Sequence, residues 1–215
     1  MVEKFDKKGI FTAFSTIDAD DYVNSITISM EAIKSQVFSP NILFLPYKPS
    51  NIETEKLGSI VEAAEKNQCG VMLMDKDNEV GLGTEEDIHV WLSPEILERD
   101  MFEERHYDLS LLVAYSIKKN WKGKMHIWMA VEDEDQEAKA RGYLHKLLYE
   151  ARFPRSTEVN VIVDDFHKAL GGAPEGDIHI IPFEGSDIDS LTDIVEIENK
   201  TYLFVHDSTK ESVLA

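Results

Sequence analysis

At 215 residues, with 43% hydrophobic and 29% charged residues, the chain is long enough to bury the core of one large globular domain or two small ones. The net charge of −19 argues against a nucleic-acid binder, since phosphate backbones require clustered Lys and Arg, and disfavours adhesion to an anionic membrane surface. One cysteine, Cys69, excludes an internal disulfide framework and fits a reducing compartment, and no run approaches the roughly 20 apolar residues that span a bilayer.

Residues 1–19 show no clear period and read as a leader or linker, with a charged start, MVEKFDKKGIF, that lacks the apolar core of a secretory signal. From Asp20 to Phe38 the apolar positions Tyr22, Ile26, Met30, Ile33 and Val37 recur at spacings of 4, 4, 3 and 4, the seam of an amphipathic helix. Its β-branched cluster at 23–28 works against helix at that end. A strand is expected at 42–46, then a helix over about 51–67, where Ser50 and Glu53 have the spacing of a capping box. Strands follow at 70–75 (GVMLMD) and 87–92 (DIHVWL).

Ser93-Pro94 has the form of an N-cap followed by proline at the first helical position, opening a helix over part of 94–106. A more apolar helix, LSLLVAYSIKKN, follows Asp108 and ends in lysines that suit the negative end of the helix dipole. The remaining elements are strand 124–131, helix 135–153 stopped by Pro154, strand 158–163, a short helix up to Gly171-Gly172, strand 177–182, helix 187–199 and strand 201–206. Alternating strands and helices imply a layered α/β fold of mainly parallel β-α-β units in two tandem halves. The expected division is a connecting helix at 20–38, a first subdomain at 39–107 and a second at 108–215.

Two stretches repeat one supersecondary pattern, either by duplication, which the shared Pro, Ser, Ile, Ile-Val-Glu and terminal Asp favour, or because any two strand–loop–helix–strand units share apolar strands, capped helices and a turn proline. NILFLPYKPSNIE (41–53) and DIHIIPFEGSDID (177–189) align Pro46 with Pro182, Tyr47 with Phe183, and Ser50-Asn51-Ile52-Glu53 with Ser186-Asp187-Ile188-Asp189. With gaps, Ile60-Val61-Glu62 falls on Ile194-Val195-Glu196 and 71–75 on 203–207. The proline ends strand pairing because it donates no amide hydrogen, and the serine hydroxyl is expected to satisfy an orphan amide at the next helix start.

Candidate chemistry is thin. Gly81-Leu82-Gly83 is followed by Thr84-Glu85-Glu86-Asp87 rather than a third glycine or a Gly-Lys-Ser/Thr tail, so a turn is favoured over a phosphate cradle. His89, His126 and His179 lie within strands beside apolar neighbours and lack metal spacing, so they are expected at pleat positions. The run Glu132-Asp133-Glu134-Asp135 suits the positive end of the following helix better than a cation site. Cys69 lacks an activating base in sequence, and no Gly-x-Ser-x-Gly elbow is present. No catalytic residue, metal ligand or cofactor site is therefore expected. KKNWKGKMHIW (118–128) sets Lys118, Lys119, Lys122 and Lys124 around Trp121 in an acidic chain, either as dipole-matched lysines at a helix end or as a contact for lipid head groups or an acidic partner.

DLSLLVAYSIKKNWKGKMHIWMAVEDEDQEAKARGYLHKLLYEARFPRSTEVNVIV (108–163) resembles the cytoplasmic C-terminal domain of the cation-chloride cotransporters: an apolar LLxxxYxxxxxxxW helix, a basic Trp-Lys turn, a strand, a short acidic loop and a helix leading to another strand. FSPNILFL (38–45) resembles the start of that domain, and helix 20–38 matches in position the helix that links it to the last membrane span. The resemblance is to the shorter prokaryotic members. It implies two halves like universal stress proteins, a homodimer on the cytoplasmic side of the cell membrane, the transmembrane domain of the same transporter as partner, and no chemistry of its own. A regulatory role in electroneutral cation and chloride transport follows from it, for a fragment that is soluble by itself. On that basis Tyr22, Ile26, Met30 and Ile33, with Lys118, Lys119, Trp121 and Lys122, are the surfaces expected to meet the partner chain or the membrane domain. The competing class is a stand-alone nucleotide-binding protein of the universal stress type, for which this chain shows no convincing glycine loop.

Overall fold

The computed structural model describes every residue except 1–4, 6, 11, 13–15, 17, 19, 20, 35–39, 100, 102–105 and 215. In chain order the elements are α1 (Tyr22–Lys34), β1 (Ile42–Pro46), α2 (Thr54–Lys66), β2 (Gly70–Asp75), β3 (Asp87–Trp91), α3 (Asp108–Trp121), β4 (Lys124–Val131), α4 (Glu134–Glu150), β5 (Glu158–Val163), α5 (Phe166–Gly172), β6 (Ile178–Pro182), α6 (Ser190–Val195) and β7 (Tyr202–His206). Short 3-10 turns occupy Pro94–Glu98 and Gly185–Asp187. The C-terminal part of the connecting helix expected at 20–38, including Val37, lies outside the described residues.

The seven strands among the described residues form one sheet in the order β1-β2-β7-β6-β3-β4-β5, parallel throughout except at β2–β7. The sheet is continuous across the division expected after residue 107, because β3 pairs with both β4 and β6. Helices cover both faces, and β4 therefore reads as the nearly unbroken apolar run KMHIWMAV. Under α3 and α4 lie Ile88, Val90, Met125, Ile127, Ile178, Ile180, Leu203 and Val205. On the other face Val71, Leu73, Trp91, Trp128, Ile181, Tyr202 and Phe204 make a second core with Leu57 and Val61 of α2, Ala169 and Leu170 of α5, and Leu191 and Ile194 of α6.

The duplicated unit is real in space and one residue out of the alignment expected from sequence. Pro46 pairs with Met74 and Pro182 with Val205, and the next amides repeat the contact: Tyr47 N donates to Met74 O at 2.8 Å and Phe183 N to Val205 O at 3.0 Å. Val71 thus corresponds to Tyr202, and Asp75 to His206 rather than Asp207. The short α6 accounts for the extra residue lost. In the corrected alignment the antiparallel β2–β7 pairing is symmetric. Leu73 faces Phe204, its own counterpart, while Val71 faces His206 and Asp75 faces Tyr202. Each half thus carries β-α-β on one face of the sheet, related by a local two-fold axis through Leu73 and Phe204.

The serine caps expected in that unit do not form. Ser50 Oγ lies 3.3 Å from Asn51 Oδ1 and Ser186 Oγ 3.0 Å from Asp187 Oδ1, so each serine is turned onto its neighbouring side chain. Helix α2 starts three residues after Asn51 from Glu53, which makes no side-chain cap. The helix expected over 187–199 shrinks to Ser190–Val195, because Glu184 and Asp187 close a capping box around the preceding 3-10 turn. Ser93 does cap as expected, accepting from Glu95 N at 3.3 Å, but the segment after it is the 3-10 turn Pro94–Glu98.

Candidate functional site

Strands β3 and β6 are parallel neighbours whose onward connections leave on opposite faces, through α3 and α6 respectively. In an open α/β sheet the crevice outside the carboxyl ends of such a strand pair is where ligands bind. Two cavities flank it here. One, of about 180 Å³, is lined by Ser93, Ile96, Arg99, His106, Tyr107 and Tyr143; the other, of about 240 Å³, by Trp91, Ala130, Phe166, Ile181 and Leu191 with Glu132, Asp164 and Asp165. Ser93, Pro182, Phe183 and Asp187 line both. In the first, the Tyr107 and Tyr143 hydroxyls are 2.9 Å apart, and Glu184 Oε1 lies 3.6 Å from Arg99 and 4.0 Å from His106.

At this place the first amides of α5 and of the 3-10 turn before α6 are taken by the chain's own carboxylates. Asp165 Oδ1 accepts from His167 N at 3.0 Å and Lys168 N at 3.3 Å, and Asp187 Oδ2 accepts from Glu184 N at 2.9 Å. The glycine loop at the other end of the strands follows the same rule. Gly81 and Gly83 have φ of +65° and +50°, and the loop turns the Thr84, Glu86 and Asp87 amides inward. All three donate to the Asp177 carboxylate, at 2.9, 2.6 and 2.8 Å. Burial alone would raise the Asp177 carboxyl, but these bonds outweigh it and hold it below the usual carboxylate range. The loop is an anion nest whose anion is a side chain of the same chain.

A row of three imidazoles crosses the sheet beside that loop. His179, His89 and His126 share one register position on β6, β3 and β4, with ring centroids 4.9 and 5.0 Å apart along the row. They are pleat positions, as expected, but the row itself was not foreseen. Its signal is Asp-Ile-His, written at 87–89 and again at 177–179 on neighbouring parallel strands. His179 Nδ1 accepts from Trp91 Nε1 at 3.2 Å, so that nitrogen carries no proton. Both nitrogens of His126 face carboxylates, Asp87 at 3.1 Å and Glu158 at 3.2 Å. Burial, with the neighbouring His126 adding to it, pushes His89 down to about 4; burial and then His89 hold His179 well below the ordinary histidine value. Among the described residues no group of three or more His, Cys, Asp or Glu is placed to hold a metal ion.

The expected contact surfaces divide into buried and open parts. Ile26 is 9% exposed and Met30 packs on the second core, so both serve to seat α1 against α2. Tyr22 is 54% exposed, and Ile33 borders the cavity between α1 and β1. In the basic turn Trp121 packs against the first core, Lys119 Nζ stands 5.9 Å over the Tyr115 ring, and Lys122 ends α3 with φ of 59°. Cys69 is free and half-buried, its Sγ 3.6 Å from Pro40 O. No helix among the described residues is long and apolar enough to cross a membrane.

Comparison with known proteins covers nearly the whole chain. Residues 1–82 match the family model of the prokaryotic cation-chloride cotransporter C-terminal domain, 1st part, and residues 83–214 that of the 2nd part. The chain superposes on the crystal structure of the cytoplasmic domain of a prokaryotic cation chloride cotransporter with a TM-score of 0.86 and 26% identity, over 99% of this chain and 80% of that one. Two Pseudomonas aeruginosa proteins share the fold. One, from strain PAO1 and functionally unknown, has 12% identity and a TM-score of 0.56 over 94% of this chain and 74% of its own; the other, from UCBPP-PA14 and described as a universal stress protein, has 13% and 0.54 over 97% and 77%. No curated protein matches the sequence.

Proposed function

The chain belongs to the C-terminal domain family of prokaryotic cation-chloride cotransporters, and we propose that within such a transporter it is the cytoplasmic domain that pairs two subunits and regulates electroneutral transport, with no catalysis of its own. The observation that carries the pairing is the open edge of the sheet. Strand β1 holds no charged residue, its Phe44 is 54% exposed, and Tyr22 of α1 lies beside its far end with the same exposure. Under the local two-fold axis Phe44 corresponds to Ile180, which is fully buried. Natural proteins blunt such edges with charges unless the edge is used. A chain of net charge −19 would repel its copy, so an uncharged strand is where two copies meet at least electrostatic expense. Lys118, Lys119 and Lys122 around Trp121 offer a second, basic surface to the acidic partner chain. The carboxylates on the first amides of α5 and of the 3-10 turn before α6 argue against a nucleotide-binding role.

Sedimentation velocity of the chain tests this reading. The wild type sediments as a dimer, and Phe44→Asp, a change at an exposed position, gives a folded monomer with an unchanged circular dichroism spectrum. A monomeric wild type at tens of micromolar, or a Phe44→Asp dimer, overturns pairing through β1.

A further inference from the structure

We propose that the cavity between α5 and α6, at the carboxyl ends of β3, β4 and β6, is the receptor for a basic cytoplasmic loop of the transport domain, taking a Lys or Arg side chain; this rests on the reading of the chain as a transporter's cytoplasmic domain. The cavity joins two chemistries. Its floor is apolar, from Phe166, Ile181 and Leu191, and its rim carries the carboxylates of Glu132, Asp164, Asp165 and Asp187, with no Lys, Arg or His in the lining. A neutral apolar ligand would leave those four charges facing a low-dielectric group, and an anion would be repelled by them. A Lys or Arg side chain satisfies both parts: its methylene stem lies along the floor and its charged head reaches the rim.

The first amides of α5 and of the 3-10 turn before α6 do not compete for an incoming ligand, because Asp165 and Asp187 already accept from them. Lys168 lies 3.9 Å from Asp164 but is 75% exposed and does not line the cavity, so it screens one rim carboxylate only weakly. The partner follows from charge. Cytoplasmic loops of membrane proteins carry an excess of Lys and Arg near their spans. A domain of net charge −19 held next to them meets a complementary surface, and in this cavity carboxylates border an apolar floor with no basic residue in the lining. Oppositely charged surfaces that meet this way fix orientation and speed encounter.

The test is fluorescence anisotropy of a fluorescein-labelled ten-residue peptide of alternating Lys and Leu, titrated with the full chain. The paired substitution Glu132→Gln and Asp164→Asn removes two rim charges and keeps the Asp164 acceptor that takes the Asp165 amide. It weakens binding about tenfold, since each partly desolvated pair accounts for up to about fivefold. The control pair Glu55→Gln and Glu62→Gln, on exposed positions of α2, changes it less than twofold. Equal losses from the two pairs would mean diffuse attraction to an acidic protein and overturn the site. So would spermine displacing the peptide at a comparable affinity, which would identify a small polycation as the ligand. If the wild-type chain and the rim variant dock equally well onto the separately expressed transport domain, the cavity falls as receptor while the partnership of the two domains stands.

Discussion

Asp177→Ala should uncouple the glycine loop from the sheet, and the structure sets the size of the effect. The carboxylate accepts three amide bonds, from Thr84, Glu86 and Asp87 at 2.9, 2.6 and 2.8 Å. Hydrogen bonds to a charged group contribute about 1.5–3 kcal/mol each when buried; Asp177 is only half-buried, so about 1 kcal/mol each is the sounder figure. The loss is then about 3 kcal/mol, or about 6–12 °C in Tm for a chain of this size. Asp177→Asn keeps one acceptor and should lose about half as much. A carboxyl held below its ordinary value contributes stability above its unfolded pKa and loses it as pH falls through the folded one. The gap between wild type and Asp177→Ala should therefore be flat above about pH 5 and close below about pH 4. Formate added to Asp177→Ala should refill the nest and raise Tm more than in the wild type. Urea melts followed by circular dichroism at pH 7 and pH 3.5 measure all of this. A loss under about 1 kcal/mol, or a gap that widens on acidification, would refute the nest as a stabilising clasp.

Asp207 has the opposite linkage. Burial, opposed by the Leu109 and Thr209 amides and reinforced by Glu211 and Asp108, pushes its carboxyl up to about 6, so its contribution is complete below about pH 4 and lost as pH rises through 6. Asp207→Asn should flatten a fall in stability of up to about 3 kcal/mol between pH 4 and 6, as read by urea melts; an unchanged slope would assign that fall to other groups. His89, buried and neutral, should show ring proton shifts in NMR that are constant from pH 8 to about 5.5 and move only near pH 4. Its stability contribution is present above about pH 6.5 and lost on acidification towards pH 4. Gly176→Ala places a Cβ 2.9–3.1 Å from the His89 ring, which is confined by the rings on either side, and should cost about 1–3 kcal/mol while shifting the same NMR signals.

Elements were legible where their signal is local. The apolar runs of β2, β4 and β6, the proline that ends β1 and β6, and the Ser93-Pro94 cap all stand where periodicity and turn chemistry put them. What was not legible depends on which strands become neighbours. The insertion of β6 and β7 between β2 and β3 is a property of non-local pairing, and it alone brings the two Asp-Ile-His triplets side by side. The anion nest needed the same step, since Asp177 lies some ninety residues from the amides it accepts. The serine caps failed for a local reason: each serine stands before an Asn or Asp side chain that takes its hydroxyl proton. The rim of the switch-point cavity was half visible. Glu132 stood out in the acidic run, whereas Asp164 and Asp165 come from the β5-to-α5 connection and Asp187 from the β6-to-α6 connection, and they meet Glu132 only in the fold.

The local two-fold axis gives the open edge a physical meaning. In the second half, the outer side of β6 pairs in parallel with β3, through Ile88 with Ile178 and Val90 with Ile180. The corresponding side of β1, at Ile42 and Phe44, has no strand beside it among the described residues. The duplicated unit is therefore used twice with one of its two edges completed only once, and the uncompleted one keeps the apolar residues of a covered strand. Two copies joined by a rotation axis at that edge would pair β1 with β1 antiparallel, the relation already seen between β2 and β7. Such a pairing would slow hydrogen exchange at the β1 amides that point away from β2. In Phe44→Asp those amides should exchange as fast as an open edge allows, while the amides that bond β2 remain protected. Uniform protection along β1 in that variant would mean the edge is closed by something other than a second copy.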